Sequence, residues 1–329
     1  MSERVLVTGI TGYIGQHCGA ELLNQGYEVV GTVRSQAKAA STKAAIAHVA
    51  PVDQLSFVET DLLSDAGWDE AMVGCTYVLH VASPFVFTEP KDEQELIKPA
   101  VEGTQRVMAA AQRANVKRLV LTSSVASVTG GHPSGKFGPA DWSDTNADIG
   151  AYSKSKTLAE RAAWAMSEDH DMELVAINPA GVFGPSLGAA LDAQSVAMMT
   201  DMITGKMPML PKLAIGLVDV RDVARLQVAA MTADGAAGQR FIASTTEPIE
   251  MATVARVLRE AGHDKVPSRM APTILLKVMA LFDRDVKGML PHIGKRASLD
   301  TSSTVSILGW EPTATELTIT EMAAAIAAE

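Results

Sequence analysis

The chain has 329 residues, 47% of them apolar and 20% charged, and a net charge of -10 at pH 7. That length buries a large core, as one large domain or two unequal ones, in a soluble globular balance without low-complexity tracts. The negative charge argues against nucleic acid or anionic membrane as partner, because both demand a basic surface.

The first residues run into an apolar strand pattern, RVLVTG, with no signal-peptide charge or apolar h-region before it. No apolar run approaches the length of a membrane span. The two cysteines, Cys18 and Cys75, form no CxxC and no Cys/His cluster. They read as small hydrophobes, no metal site is expected, and the protein reads as cytoplasmic and reduced.

In chain order, short β-branched runs fall at residues 5–8, 29–33, 55–58, 78–81, 119–122 and 174–177. Helical patterns lie between them, at 14–24, 36–49, 68–72, 92–114 and 152–169. In the first of these, Ile14, Cys18 and Leu22 share one face at i, i+4 and i+8. Continuous apolar strands alternating with helices predict an α/β fold: a doubly wound parallel sheet of Rossmann type, with ligand at the carboxyl ends of its strands.

After Gly184-Pro185 the pattern changes to methionine-rich helix around 196–203 and an apolar helix at 273–282. A short strand at 240–243 can rejoin the sheet. The reading is a dinucleotide-binding domain over 1–184, rejoined by about 217–246. A smaller, mostly helical substrate-binding cap takes 185–216 and 247–329. Met198, Met199, Met202, Met207 and Met209 either line an adaptable pocket or fill the core. Helices 92–114 and 152–169 either cover the sheet or pair across a dimer, so the chain reads as a monomer or homodimer.

VTGITGYIG follows the first strand directly and opens the first helix. Gly9, Gly12 and Gly15 permit a tight turn, close approach to a pyrophosphate and close helix–strand packing. Their spacing is G-x-x-G-x-x-G rather than G-x-G-x-x-G. After the second strand an arginine accommodates a 2′-phosphate where a carboxylate selects the free hydroxyl. Here VVGTVRS supplies Arg34 and Ser35, with Lys38 near, while Glu28 stands too early. This predicts NADPH; the bland alternative is a solvated arginine. Asp61 ends the third strand, where a short acid can bond an adenine amine. Val81, Ala82 and Ser83 follow the fourth, where small side chains let the chain pass close to a dinucleotide.

Tyr152 stands four residues before Lys156, on one helix face. An ammonium beside a phenol lowers its pKa, which suits a donor to the alkoxide formed when a carbonyl accepts hydride. Ser123 and Ser124 end the fifth strand. Such a hydroxyl either bonds a substrate carbonyl or caps the turn.

TGxxGxxG, the Asp61-Leu62 pair, the paired serines and the Tyr152/Lys156 spacing resemble the extended short-chain dehydrogenase/reductase superfamily. GCTYVLHVASPF, KPAVEGT, YSKSKTLAERAAW, INPAGVFGP and LVDVRDVA narrow the resemblance to its dihydroflavonol reductase, cinnamoyl-CoA reductase and microbial carbonyl-reductase group. The resemblance implies Ser124, Tyr152 and Lys156 as catalytic residues, with Lys156 also on the nicotinamide ribose. It implies cofactor contacts at Gly9, Gly12, Tyr13, Ile14, Gly15, Arg34, Ser35, Asp61, Leu62, Val81, Ala82, Ser83 and Thr122. Pro179 and Val182 would line the nicotinamide side, and Asp141 to Asp144 would form a structural loop. Phe85 and Val125 either flank the pocket or pack in the core. The expectation is an NADPH-dependent reductase of a small-molecule aldehyde or ketone. A nucleotide-sugar epimerase or dehydratase retaining NAD, or a non-catalytic NADP sensor, is the alternative.

Overall fold

The computed structural model describes residues 2–84, 90–188, 193–282 and 284–328. Strands β1 (Arg4–Thr8), β2 (Glu28–Val33), β3 (Leu55–Glu59), β4 (Cys75–His80) and β5 (Arg118–Thr122) lie side by side in one sheet, with β3 at its edge. A short β6 (Gly135–Phe137) lies apart from it, and β7 (Glu173–Pro179) returns to it. Helices α1 (Tyr13–Asn24), α2 (Ala39–Ala47), α3 (Trp68–Met72), α4 (Gln94–Arg113) and α5 (Gly150–Ser167) form the crossovers. The helix expected over 36–49 is divided: a 3-10 turn at Gln36–Lys38 precedes α2.

The alternation of side chains sorts the strands' residues to two faces. Leu6, Val78 and Leu119 share a core with α3, α4 and Ala163 of α5. Val5, Val7, Leu79 and Val120 point the other way, onto Cys18 and Leu22 of α1. Each such fully buried aliphatic side chain contributes about 1.5–3 kcal/mol, which is why the strands tolerate so few polar residues. Helices α4 and α5 pack on one another within the chain.

Beyond β8 (Gly181–Phe183) lie α6 (Gln194–Thr204), β9 (Ala214–Ile215) and β10 (Leu217–Asp219), the last paired with β8. Helix α7 (Val220–Thr232) then packs on α1, and β11 (Arg240–Ala243) joins β7 as an edge strand. The seven parallel strands run in the order β11-β7-β5-β4-β1-β2-β3. The chain's direction of travel reverses at β1, and the crevice between β1 and β4 opens there at the carboxyl ends.

A second core gathers α6, α8 (Met251–Glu260) and α12 (Thr315–Ala328), preceded by β12 (Ile249–Glu250), which pairs with β9. Met199 and Met202 are buried in it, and Met198 and Met207 pack against it, so four of the five methionines are core filler. The apolar helix expected to Phe282 is α9 (Thr273–Met279), of which only Leu276 is buried. After α10 (Arg284–Met289), β13 (Ala297–Leu299) pairs with β6, and α11 (Ser302–Leu308) packs on β11. Leu308 and Trp310, from the stretch expected in the cap, join the sheet-side core instead.

Candidate active site

Gly9 adopts a left-handed φ of 67°, and a Cβ there would lie 2.9 Å from the Cα of Ala82. A Cβ on Gly15 would lie 2.2 Å from the Gly9 carbonyl oxygen. Glycine is required at both positions because the loop, the helix and the end of β4 are in direct contact. The Gly12 N–H bonds the Gly9 carbonyl at 2.9 Å and turns the chain into α1. No side chain caps α1, and its first turn carries no acid. Its leading N–H groups, those of Tyr13, Ile14 and Gly15, therefore present donors and positive dipole to an anion.

The Tyr13 phenol is engaged inside the protein. It is buried and donates to the Gly184 carbonyl at 2.6 Å. Burial, then the charge of Asp219, holds its pKa well above the ordinary value. What Tyr13 offers an anion is its backbone N–H alone. The Ile14 side chain likewise packs against both cores.

Arg34 and Ser35 are exposed beyond β2. The Ser35 hydroxyl accepts from the Ala37 N–H at 3.3 Å and caps the 3-10 turn that carries Lys38. Glu28, at the strand's other end, pairs with Arg4. Asp61 caps its own turn, accepting from the Leu63 N–H at 2.9 Å. Leu62 is a packing residue: it fills the space over Gly103 of α4, and its carbonyl accepts from Arg106 at 2.7 Å.

The floor after β4 is pinned from below. The Ala82 N–H donates to the Thr8 hydroxyl at 3.0 Å, and that hydroxyl also bonds His80 Nδ1 at 2.9 Å. Val81 packs on the α1-side core and Ser83 follows, half-buried. Phe85 lies outside the described residues. Val125 packs against the small cluster of Val128, Ile242 and Leu299, which is core packing rather than a free pocket wall.

At the end of β5 the two serines part. Ser123 donates to Glu160 of α5 at 2.5 Å and serves the interior. Ser124 is buried, accepts from the Ala126 N–H at 3.1 Å and is hydrogen-bonded to Tyr152. It thus caps the turn, one of the two readings open to it, and also meets the phenol. Lys156 Nζ reaches the Thr122 carbonyl at 3.4 Å. Thr122 acts through that carbonyl, because its hydroxyl points to the other face and accepts from Gln227 at 2.6 Å.

Burial raises the Tyr152 pKa, and the bond to Ser124 opposes the rise. The lowering expected from the lysine is not what sets the direction: burial does, because removing a phenolate from water is costly. Burial brings Lys156 down to about 8, with the Glu160 charge opposing. Pro179 ends β7, buried, and Val182 lies in β8, packed against both cores. Sequence reading missed Glu160, Arg240, Asn178 and Ser127. A charged residue one turn beyond Lys156 on the same face, and an arginine inside the strand RFIA, were the available signals.

From β2 to β5 the candidate groups span three strand spacings of about 4.8 Å each, a length that suits an extended ligand. A glycine-cradled helix start at the reversal point, with a phenol, an ammonium and a hydroxyl further along the same edge, characterises the Rossmann oxidoreductases. Residues 5–243 match the model of the NAD dependent epimerase/dehydratase family, and the chain belongs to that family as an extended short-chain dehydrogenase/reductase. A cinnamoyl-CoA reductase of Medicago truncatula is 35% identical over 269 residues, which cover 78% of this chain and 80% of that one. A dihydroflavonol 4-reductase of Zea mays is 32% identical over 275 residues, 80% of this chain and 76% of its own. The crystal structure of yeast methylglyoxal/isovaleraldehyde reductase complexed with NADPH aligns with a TM-score of 0.80 at 27% identity, over 98% of each chain. The expected kinship with the reductase group is borne out, and the chain is an oxidoreductase. Among the described residues, no helix is long and apolar enough to cross a membrane.

Proposed function

We propose that this protein reduces an aldehyde or ketone to the alcohol with NADPH, and that Tyr152 delivers the proton. The observation that carries the reading is the Ser124–Tyr152 hydrogen bond, with Lys156 one helical turn on and anchored to Thr122, at the carboxyl edge of the sheet. NADPH suits the residues present. The uncapped start of α1 takes a pyrophosphate in a cradle that a Cβ on Gly9 would fill. Arg34, exposed and without an acidic partner among the described residues, takes a 2′-phosphate. Asp61 keeps a carboxylate oxygen for the adenine amine, Val81 to Ser83 form the floor, and Pro179 and Val182 form the nicotinamide-side wall.

When bound, the nicotinamide supplies the hydride that adds to the carbonyl carbon. The Ser124 hydroxyl, already accepting from Ala126, turns its own proton toward the substrate oxygen and polarises it. Tyr152 gives its phenolic proton to the same oxygen, which completes the alcohol. The phenolate left behind faces Lys156, whose pKa of about 8 keeps it largely charged at neutral pH. That charge offsets the cost of a buried phenolate only once the proton has moved, which favours transfer.

The test is stoichiometric. Purified protein is incubated with NADPH and a panel of aromatic aldehydes, aliphatic ketones and keto esters, and the products are identified. One alcohol formed per NADPH consumed is the expected result. Consumption of NADPH without alcohol, or no consumption with any carbonyl, would contradict the reading.

A further inference from the structure

Behind the Ser124–Tyr152 pair lies a carboxylate with no role in the chemistry above. Glu160 is 1% exposed, four residues beyond Lys156 on the same face of α5. Its Oε2 accepts from Ser123 at 2.5 Å, Ser127 at 2.6 Å and Asn178 Nδ2 at 2.9 Å. Its Oε1 accepts from Arg240 Nε at 2.6 Å and from Trp164 Nε1 at 3.3 Å. Arg240, 8% exposed, gives Nη1 to the carbonyls of Pro139 at 2.7 Å and Asp141 at 2.6 Å, and Nη2 to Ser127 Oγ at 3.2 Å and Glu160 Oε2 at 3.4 Å. Its guanidinium stacks 3.8 Å from the centroid of the Trp142 ring.

Burying an ion pair costs several kcal/mol per charge before contacts repay it, and well-packed apolar residues often serve stability as well. Stability alone is therefore a weak account of this pair. Its connections point to another. Asn178 Nδ2 also donates to the main-chain carbonyl of Ser124 at 3.3 Å, and the Ser127 hydroxyl shares its one proton between Glu160 and that carbonyl, 2.7 Å away. One carboxylate thus ties the helix that carries Tyr152 and Lys156 to the turn that carries Ser124. Arg240 ties the loop at residues 138–144 to the same helix.

We propose that Glu160 and Arg240 are positioning residues, which set the spacing of Ser124 from Tyr152 and hold the Trp142 loop against the reacting edge. The proposal rests on the reductase reading. Neither residue touches the glycine loop or Arg34, so the pair sets the geometry of proton delivery and leaves cofactor affinity alone. A displacement of about 1 Å in such a site costs on the order of 100-fold in rate.

The experiment compares Glu160→Gln, Arg240→Met, Arg240→Lys, Ser127→Ala and Tyr152→Phe with the parent. It measures kcat and KM on one reactive aldehyde, the NADPH dissociation constant by fluorescence, and kcat per cofactor-binding site. Glu160→Gln and Arg240→Met are expected to lower kcat about 100-fold while the NADPH constant stays within about threefold. Arg240→Lys, which keeps the charge but not the fork, is expected to fall between Arg240→Met and the parent. Ser127→Ala leaves the ion pair intact and is the arm to rely on if the charge variants do not fold; about a tenfold loss of kcat is expected. Parental kcat per binding site in Ser127→Ala and in every folded charge variant would overturn the proposal and leave the pair a merely structural device. Unaltered turnover in Tyr152→Phe would overturn Tyr152 as the proton donor and this proposal with it, whereas no turnover of any carbonyl by the parent would overturn the reductase reading itself. Lost turnover there with parental kcat in the others sinks the positioning role alone.

Discussion

Replacing Arg34 by leucine isolates the choice of cofactor. The side chain is exposed beyond β2 and meets no carboxylate among the described residues, so its loss breaks no ion pair among them. A change of that kind moves folding stability by no more than about 0.5 kcal/mol. A guanidinium bonded to a phosphate contributes about 1.5–3 kcal/mol. At about 1.4 kcal/mol per decade, kcat/KM for NADPH should fall about 10- to 150-fold. NADH carries no 2′-phosphate, so its kcat/KM should change less than about twofold. Because the site is open to solvent, the parent's preference should also shrink as salt is raised and the Debye length shortens. The assay measures both cofactors against one carbonyl at low and high ionic strength. Equal loss with both cofactors, or unaltered NADPH kinetics in Arg34→Leu, refutes the assignment.

Gly9→Ala places a Cβ 2.9 Å from the Ala82 Cα in a left-handed conformation that costs an L-residue about 1–2 kcal/mol. Chemical unfolding should show at least that loss, with NADPH affinity down tenfold or more; parental affinity speaks against the cradle. Burial holds His17 at a pKa of about 4, and burial plus the Lys156 charge holds His80 at about 3. Because both values are depressed, the unfolded chain takes up protons first as pH falls from about 6.5. Each histidine should cost about 2 kcal/mol of stability by pH 5, read by urea unfolding, and a level profile from pH 7 to 5 contradicts their burial as neutral rings. Lys156, lowered to about 8, must be protonated to face the phenolate, so kcat/KM for the carbonyl should decline as pH rises through about 8. A flat profile to pH 9.5 removes the lysine's charge from the account.

The sheet was legible because its strands are short apolar runs separated by helical periodicity, and the runs at 5–8 and 240–243 need only their hydrophobicity to be placed. The glycine loop was legible because backbone contact leaves no alternative residue. The bond of the Tyr13 phenol was not legible for the opposite reason: it goes to the Gly184 carbonyl, 171 residues away, which no local pattern announces. The two serines were alike in their local chemistry, and only the resemblance pointed to Ser124; in the structure the bond to Glu160 marks Ser123 as the interior one. Strand alternation turns the Thr122 hydroxyl to the face of Gln227, and the Leu62 side chain packs over Gly103, so membership of a motif did not say which atoms of a residue face the ligand edge. Arg240 shows the general limit, since a charge inside a strand signals a partner without naming it.

The most direct test of the central claim follows NADPH absorbance with a reactive aldehyde in the parent and in Tyr152→Phe, with cofactor binding measured in both. The account predicts undiminished NADPH binding in the variant and a kcat lower by a factor of about 100 or more, the loss expected when a general acid is removed. Turnover at the parent's rate in Tyr152→Phe would contradict it, and would mean that the proton reaches the carbonyl oxygen from some other group.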